Sequence, residues 1–330
     1  MDLKTKYLGL TLESPLVASP SPLGRKLDSI KQLRDHGAAA VVLPSIFEEQ
    51  ITREQEMIDA LIGSGAESFG EALSYFPSEA EYAFDSSDYK RLIENAAKAV
   101  DVPIIASLNG VSTSGWIEYA RDTESAGAQA IELNIFFVPS DIALDGREVE
   151  KRYTDVVAAV SSAVKIPVSV KIGPYFSSTG HMAGQLVEAG AKGLVLFNRF
   201  YEPDIDPVNL SVETSLDLSR SSEMRLPLLW IGVLYGRIAA SLAATTGVET
   251  PDDVVKYLLA GADVVMTASA LLRHGPQHMR VLHDGLSEWI SARNLKSPDD
   301  IRGKLSHAKV ENPEAYERAN YIKVLQGFGA

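Results

Sequence analysis

Residues 126–136 read AGAQAIELNIF, and the fold turns on how that run is divided. Gly127 suits the position just past a helix end, where a positive φ costs glycine no Cβ clash. The residues after it alternate as a strand does, with Ile131, Leu133 and Ile135 on one side and Glu132 and Asn134 on the other. The same punctuation returns three times, as HGAAAVV (36–42), AGAKGLVL (189–196) and AGADVVMT (260–267). Gly37, Gly190 and Gly261 then stand in phase with Gly127, each opening a short apolar run.

Working outward from these four, the reading gives eight strands, at 15–20, 39–45, 103–109, 130–136, 167–173, 193–199, 239–246 and 263–269. The first, third and fifth open with Pro15, Pro103 and Pro167, where the ladder needs no donor. Amphipathic stretches lie between them: Ser29–Arg34, Tyr89–Val100, Gly115–Ser125, Arg152–Val164, Met182–Glu188, Pro251–Leu259 and Leu271–Ala292. Strands alternating with helices imply parallel pairing through right-handed crossovers. Eight units with internal repetition point to a closed (β/α)8 TIM barrel, and to one domain over 1–330. Residues 60–86, rich in Gly, Ser, Tyr and Phe, form an insertion after the second strand and a candidate lid. Residues 293–330 read as a charged C-terminal extension with a final helix, for packing or an oligomer surface.

Composition narrows the function. A net charge of −13 argues against nucleic acid as a partner. With no cysteine there is no disulfide, thiolate metal site, cysteine-ligated cluster or cysteine nucleophile. No apolar run is long enough to span a bilayer, and MDLKTKYLGL lacks a signal-peptide core, so a cytoplasmic chain with no membrane contact is expected. The six histidines form no pair at strand ends, which argues against a barrel metallohydrolase, and no metal site is expected.

Strand parity then selects the polar residues. On the fifth strand Val168, Val170 and Ile172 face the helices, and Ser169 and Lys171 face the barrel axis. On the sixth, Val195 and Phe197 are expected outward and Asn198 inward; on the third, Asn109 is inward. Asn109, Asn134, Lys171 and Asn198 thus gather at the C-terminal mouth, where barrel enzymes keep their chemistry. Glu132 and Lys171 are candidates for a buried ion pair one layer down. Thr245-Thr246-Gly247 and Ala268-Ser269 are small residues in the usual place of a phosphate cradle. Thr250-Pro251-Asp252-Asp253 reads as a capped helix start.

SPLVASPSPL at the first strand, IELN at the fourth, VSVKIGPYF at the fifth and ATTGVETPDDVVKYLLAGADVVMTASALLRHGP across the last two carry a resemblance. So does SPDDIRGKLS near the end. The chain resembles the class 1, cytosolic dihydroorotate dehydrogenases and the dihydroorotate dehydrogenase-like proteins, over nearly its whole length. VKIGPYF, matching a V-K-[LI]-x-P pattern, is the most specific segment.

The resemblance implies one FMN across the mouth and a homodimer. Lys171 would lie beside the flavin pyrimidine, and Asn134 and Asn198 would touch both flavin and substrate. Ser21 would lie near the ring, and Gly247, Ala268 and Ser269 around the phosphate. The family's N-L-S-C-P-N after the fourth strand, whose Cys is the general base, is here Asn134-Ile135-Phe136-Phe137-Val138-Pro139. Phe137 occupies the base position and Pro139 that of the second Asn, while Pro44-Ser45-Ile46 replaces K-S-S on the second strand. A phenyl ring takes no proton at any pH. Tyr175, Ser140 and Asp141 are the candidate substitutes, and Phe136 with Phe137 suggests an apolar wall for a less polar substrate.

The expected function is an FMN-dependent oxidation of a CH–CH bond in a small molecule, of the dihydroorotate-to-orotate type, with an altered substrate. Two alternatives stand beside it. One is a phosphate-binding barrel lyase or aldolase in which Lys171 forms a Schiff base. The other is a flavin-binding accessory subunit without turnover of its own.

Overall fold

A computed structural model describes residues 2–47, 86–109, 116–199, 202–213 and 217–317. The insertion expected at 60–86 lies outside them except for Ser86, and a final helix within 318–330 lies outside them too.

The chain opens with a hairpin, β1 (Thr5–Tyr7) and β2 (Leu10–Leu12), followed by β3 (Leu16–Ala18), α1 (Leu27–Asp35) and β4 (Ala40–Phe47). Next come α2 (Ser86–Ala99), β5 (Ile104–Asn109), α3 (Trp116–Ser125), β6 (Ala130–Asn134), α4 (Gly146–Ala163) and β7 (Val168–Ile172). The remainder is α5 (Thr179–Glu188), β8 (Gly193–Leu196), a second hairpin of β9 (Asp204–Asp206) and β10 (Ser211–Glu213), and α6 (Arg225–Leu234). It closes with β11 (Ser241–Ala244), α7 (Pro251–Ala260), β12 (Val264–Thr267), α8 (Ser269–His274) and α9 (His278–Ala292).

Eight of these strands close into a parallel barrel in the order β3-β4-β5-β6-β7-β8-β11-β12, with β12 returning to β3. These are the eight strands expected from the sequence, each within a few residues of its reading. All four repeat glycines have positive φ, between 102° and 126° at Gly37, Gly127, Gly190 and Gly261, and each follows a helix. The carbonyls of Pro15, Pro103 and Pro167 accept from Val265, Val41 and Ile131 of neighbouring strands, so each proline uses the acceptor it has and lacks no donor.

Two cores result. Outward-facing residues such as Ile131, Leu133, Val168 and Val170 pack under the helices. Inward-facing Val17, Val42, Ile105, Ala130, Val195, Val264 and Met266 fill the barrel itself. Val195 therefore points inward, which corrects the parity expected for this strand. Leu194 and Leu196 are its outward residues, and β8 ends at Leu196, so Phe197 and Asn198 do not continue the alternation.

The first hairpin, not anticipated from the sequence, closes the lower end of the barrel. Its two-residue turn, Leu8-Gly9, has φ of 54° and 80°, the geometry that matches strand twist. Tyr7, Leu8 and Leu12 join the interior core. Gly193 makes room for this plug, since a Cβ there would come 2.6 Å from Leu8 Cδ2.

Three further departures have local causes. The stretch expected as one helix over 271–292 is two, α8 and α9, because Gly275 adopts φ 82° and Pro276 follows it. Helix α6 is apolar nearly all round, so it carries little amphipathic signal. The tail over 293–317 has two short 3-10 turns and is laced to the barrel. Gly303 and Leu305 donate to the carbonyls of Leu258 and Leu259, and Arg302 reaches Asp263, the Ala262 carbonyl and Thr5 Oγ1. Among the described residues, no helix is long and apolar enough to cross a membrane.

Candidate functional site

At the C-terminal mouth the ends of the strands enclose a cavity of about 360 Å³. That is within the ordinary range for a small-molecule site. Its walls divide into two chemically distinct halves.

One half is built from side chains on β4, β6, β7 and the end of β8. Asn134 and Lys171 are register partners on adjacent strands, and both line the cavity with Asn198. Asn198 Nδ2 donates to Asn134 Oδ1 at 2.5 Å. Asn134 Nδ2 reaches Ser45 Oγ at 3.5 Å, and Ser45 Oγ lies 2.7 Å from Ser107 Oγ. A chain of hydrogen-bonding groups thus runs from the end of β8 through Asn134 on β6 to β4 and β5, fixing the amides so that their remaining donors and acceptors are pre-oriented. Ser45 reaches this level because β4 is irregular. Its register with β5 shifts between Val42 and Ser45, and Pro44 falls in that break. Pro44 also packs on the loop after β3, where a Cβ at Gly24 would lie 2.8 Å from its Cδ.

The other half is made of small residues and backbone. Thr246 and Gly247 both have positive φ, 80° and 75°, and the Tyr257 hydroxyl donates to the carbonyls of Thr245 and Thr246. Gly247 N–H and Ser269 Oγ meet at Ser219, whose Oγ accepts from Gly247 at 3.2 Å and donates to Ser269 at 3.0 Å. Arg273 clips this segment in place through the carbonyls of Leu218 and Ser219, both at 2.7 Å. A Cβ at Gly247 would lie 2.7 Å from the Arg220 carbonyl, so the cradle closes only on glycine. Behind it, Thr250 and Asp253 form the anticipated helix cap. Burial works against the Asp253 charge, but hydrogen bonds from Ser221, Thr250 and Lys256 outweigh it and hold the carboxyl below its usual range.

Ser21, Asn134, Lys171, Asn198, Gly247, Ala268 and Ser269 all line this cavity. Asn109 does not. It ends β5 as the register partner of Asn134, buried just outside the lining. Phe136 and Phe137 are also absent from the lining, so the apolar wall expected of them is not there. The Arg152 guanidinium lies 5.1 Å from the Phe137 ring centroid, and that pairing holds the ring against α4. Tyr175, Ser140 and Asp141 stand outside the lining as well. Of the described acids only Asp217, at an exposed position, lines the cavity.

One layer below, the expected ion pair is not formed. Both oxygens of Glu132 are buried without a hydrogen-bond partner, although Lys171 contributes favourably at longer range. Burial raises the Glu132 carboxyl above the usual range, and Lys171 only partly offsets this. The neighbouring Tyr7 phenol is pushed up by its own burial and by the Glu132 charge. Sequence reasoning missed Arg25, Ser45, Arg199 and Ser219 among the lining residues. Of these only Ser45, within Pro44-Ser45-Ile46, carried any signal, and the register shift between Val42 and Ser45 hides its aim.

Comparisons with known proteins give the chain a family. A family model described as dihydroorotate dehydrogenase matches residues 84–290, which span β5 to β12 and most of the mouth. The dihydroorotate dehydrogenase B (NAD(+)) catalytic subunit of Methanothermobacter thermautotrophicus is 25% identical over 323 residues, covering 92% of this chain and 98% of the relative. That of Methanocella arvoryzae is 27% identical over 317 residues, covering 92% and 97%. That of Methanocaldococcus jannaschii is 25% identical over 301 residues, covering 89% and 95%. With the model matching well over half of the chain, and the relatives aligned nearly end to end, this protein belongs to the dihydroorotate dehydrogenase family.

Proposed function

We propose that the chain is an FMN-dependent oxidoreductase acting on a CH–CH bond of a small molecule, related to dihydroorotate oxidation but with a rebuilt substrate side. The observation that carries this is the joining of two halves in one cavity. Cation and amides (Lys171, Asn134, Asn198) stand at one end and the Ser219-Gly247-Ser269 cradle at the other. A flavin mononucleotide has that division, a planar ring with hydrogen-bonding edges and a terminal phosphate. The fit is supported by the glycine-only cradle at Gly247. The small residues at the last two strands also occupy the usual phosphate position of barrel enzymes.

When bound, FMN supplies two-electron redox chemistry that no side chain of this protein can provide. The protein's own part is positional and electrostatic. Lys171, almost wholly buried, presents a fixed positive charge where negative charge on the ring is stabilised. Asn134 and Asn198, tied to each other, orient ring and substrate edges. Ser219 and Ser269 would hold the phosphate, with the Gly247 turn, whose N–H is committed to Ser219, bringing the backbone close. Phe137 offers no base, so a proton given up on oxidation would have to pass to another group or to water.

A homodimer belongs to the same proposal. The β9–β10 hairpin carries Ile205, Val208, Leu210 and Val212 exposed, which suits a surface covered by a second copy.

The test is the absorption spectrum of the purified protein with and without added FMN. A flavin band near ~450 nm that bleaches on anaerobic addition of a dihydro-substrate is expected. Absence of the band after FMN addition would reject the reading. Borohydride trapping of a carbonyl compound on Lys171 would replace it with Schiff-base chemistry.

A further inference from the structure

A second cavity, of about 610 Å³, lies at the end of the barrel opposite the mouth. It opens between the β1–β2 hairpin and the loops that enter β7, β8, β11 and β12. Gly9, Gly190, Ala239, Ala240 and Ser241 leave it room, since each presents a small side chain or none.

Its charge is one-sided. Lys6 on the hairpin, Lys165 before β7 and Lys192 before β8 line it against the single acid Asp263. Asp263 is already committed: its Oδ1 pairs with Arg302 Nη1 at 3.2 Å and its Oδ2 accepts the Leu242 N–H at 2.8 Å. Glu124, the carboxylate beside Lys165 in the fold, is spent on backbone, accepting the N–H groups of Lys165 and Ile166 at 2.9 and 3.2 Å. Among the described residues, lysine ion pairs form at Lys4, Lys90, Lys151 and Lys256, and none at these three.

All three lysines are exposed, so none lacks water. What draws an occupant is the sum of their charges. A volume of this size is about 10 Å across, close to the ~8 Å Debye length at physiological salt, so the three act together on whatever enters. Such a focus of positive charge is set in a chain of net charge −13. Lysine meets phosphate as a point charge, whereas a carboxylate is better matched by an arginine fork, and no arginine lines this cavity. Leu8, Val164 and Ile166 add an apolar wall that would receive the organic part of a nucleotide.

We infer that this floor cavity binds a di- or triphosphate group, at a site separate from the mouth and independent of the oxidoreductase reading above. The phosphate chain bridges the hairpin plug, through Lys6, to the entries of β7 and β8, through Lys165 and Lys192. Its effect is on stability, because this face of a barrel carries the fold and not the reacting atoms.

The experiment titrates tripolyphosphate and, separately, ATP into the full chain by calorimetry, in low-salt buffer without divalent cations, with and without excess FMN. Thermal melts are recorded in parallel. The wild type is expected to bind one tripolyphosphate whether or not FMN is present, and its melting temperature rises with the ligand. Each of Lys6→Ala, Lys165→Ala and Lys192→Ala weakens binding about threefold, as the loss of an exposed ion contact does, and the triple variant about thirtyfold. A control triple, Lys31→Ala with Lys98→Ala and Lys296→Ala, removes the same charge elsewhere and binds as wild type does. ATP tighter than tripolyphosphate makes a nucleotide the ligand, and equal affinity makes it the phosphate chain alone; both support the site. A wild type that binds neither probe overturns the inference. So does binding that FMN displaces, binding that survives the cavity triple, or an equal loss in the control triple. If the cavity triple does not fold, the three single variants decide, and affinities all equal to wild type overturn it.

Discussion

On β6 and β7, Glu132 and Ser169 stand one layer below Asn134 and Lys171, each pair in register across the same two strands. All four side chains face the barrel axis, yet the layers are opposite in character. The upper pair opens on the cavity and joins a hydrogen-bonded chain through Asn198 and Ser45. The lower pair is sealed above the Tyr7 plug, with the Glu132 carboxyl unpartnered. Inward polarity alone is therefore no mark of a binding site. Depth decides: a polar group two residues further down the strand meets packing instead of a ligand.

The largest effect that sharpens this contrast is at the floor. Arg302→Met would strip the partly buried Asp263 of its cation and free the Ala262 carbonyl and Thr5 hydroxyl. A loss of about 3 kcal/mol in urea unfolding is expected, with FMN affinity unchanged once the protein is folded. Weakened flavin binding in the folded variant would break the division of labour between floor and mouth.

Lys171→Met tests the upper layer. Loss of a charge-assisted contact of about 2 kcal/mol corresponds to FMN binding weakened roughly 30-fold in a fluorescence titration. Unaltered affinity would return Lys171 to a structural role.

Glu132→Gln tests the lower layer through pH. The carboxyl is raised by burial, so its folded form favours the proton. Its favourable contribution is complete below the ordinary carboxyl pKa, near pH ~4, and is lost as pH rises through the higher folded value. The variant is expected to be more stable than wild type by about 1 kcal/mol at pH 8, with the gap closing near pH 4. Thermal melts at both pH values measure it, and a gap that widens toward acid would show that Glu132 is usefully ionised. The smallest effect is at Ser45→Ala, which removes the link between Asn134 and Ser107 at a cost of about 0.5 kcal/mol.

Sequence carried the barrel because its signals are local and repeated. The phased glycines, the prolines at odd strands and the alternation on β6 and β7 each follow from one residue's backbone chemistry. Asn134, Lys171 and Asn198 were legible for the same reason, although Asn198 came through a parity argument that Val195 contradicts. What stayed hidden depends on long-range contact. Ser219 reaches the cradle from a loop between β10 and α6, and Arg199 is held at the cavity by Glu223, 24 positions away. The wall expected of Phe136 and Phe137 came from the resemblance and not from strand alternation, which stops with β6 at Asn134; neither lines the cavity, and the Phe137 ring lies against Arg152.

The closing seam of the ring sets a timing problem during synthesis. Residues 16–18 pair with 265–267, so the edge of β3 has no final partner until some 250 further residues have been made. At translation rates of ~5–20 residues per second, that wait lasts tens of seconds. Throughout it Leu16-Val17-Ala18, wholly apolar, is an open strand edge on a nascent chain, the kind of surface that chaperones cover and aggregates recruit.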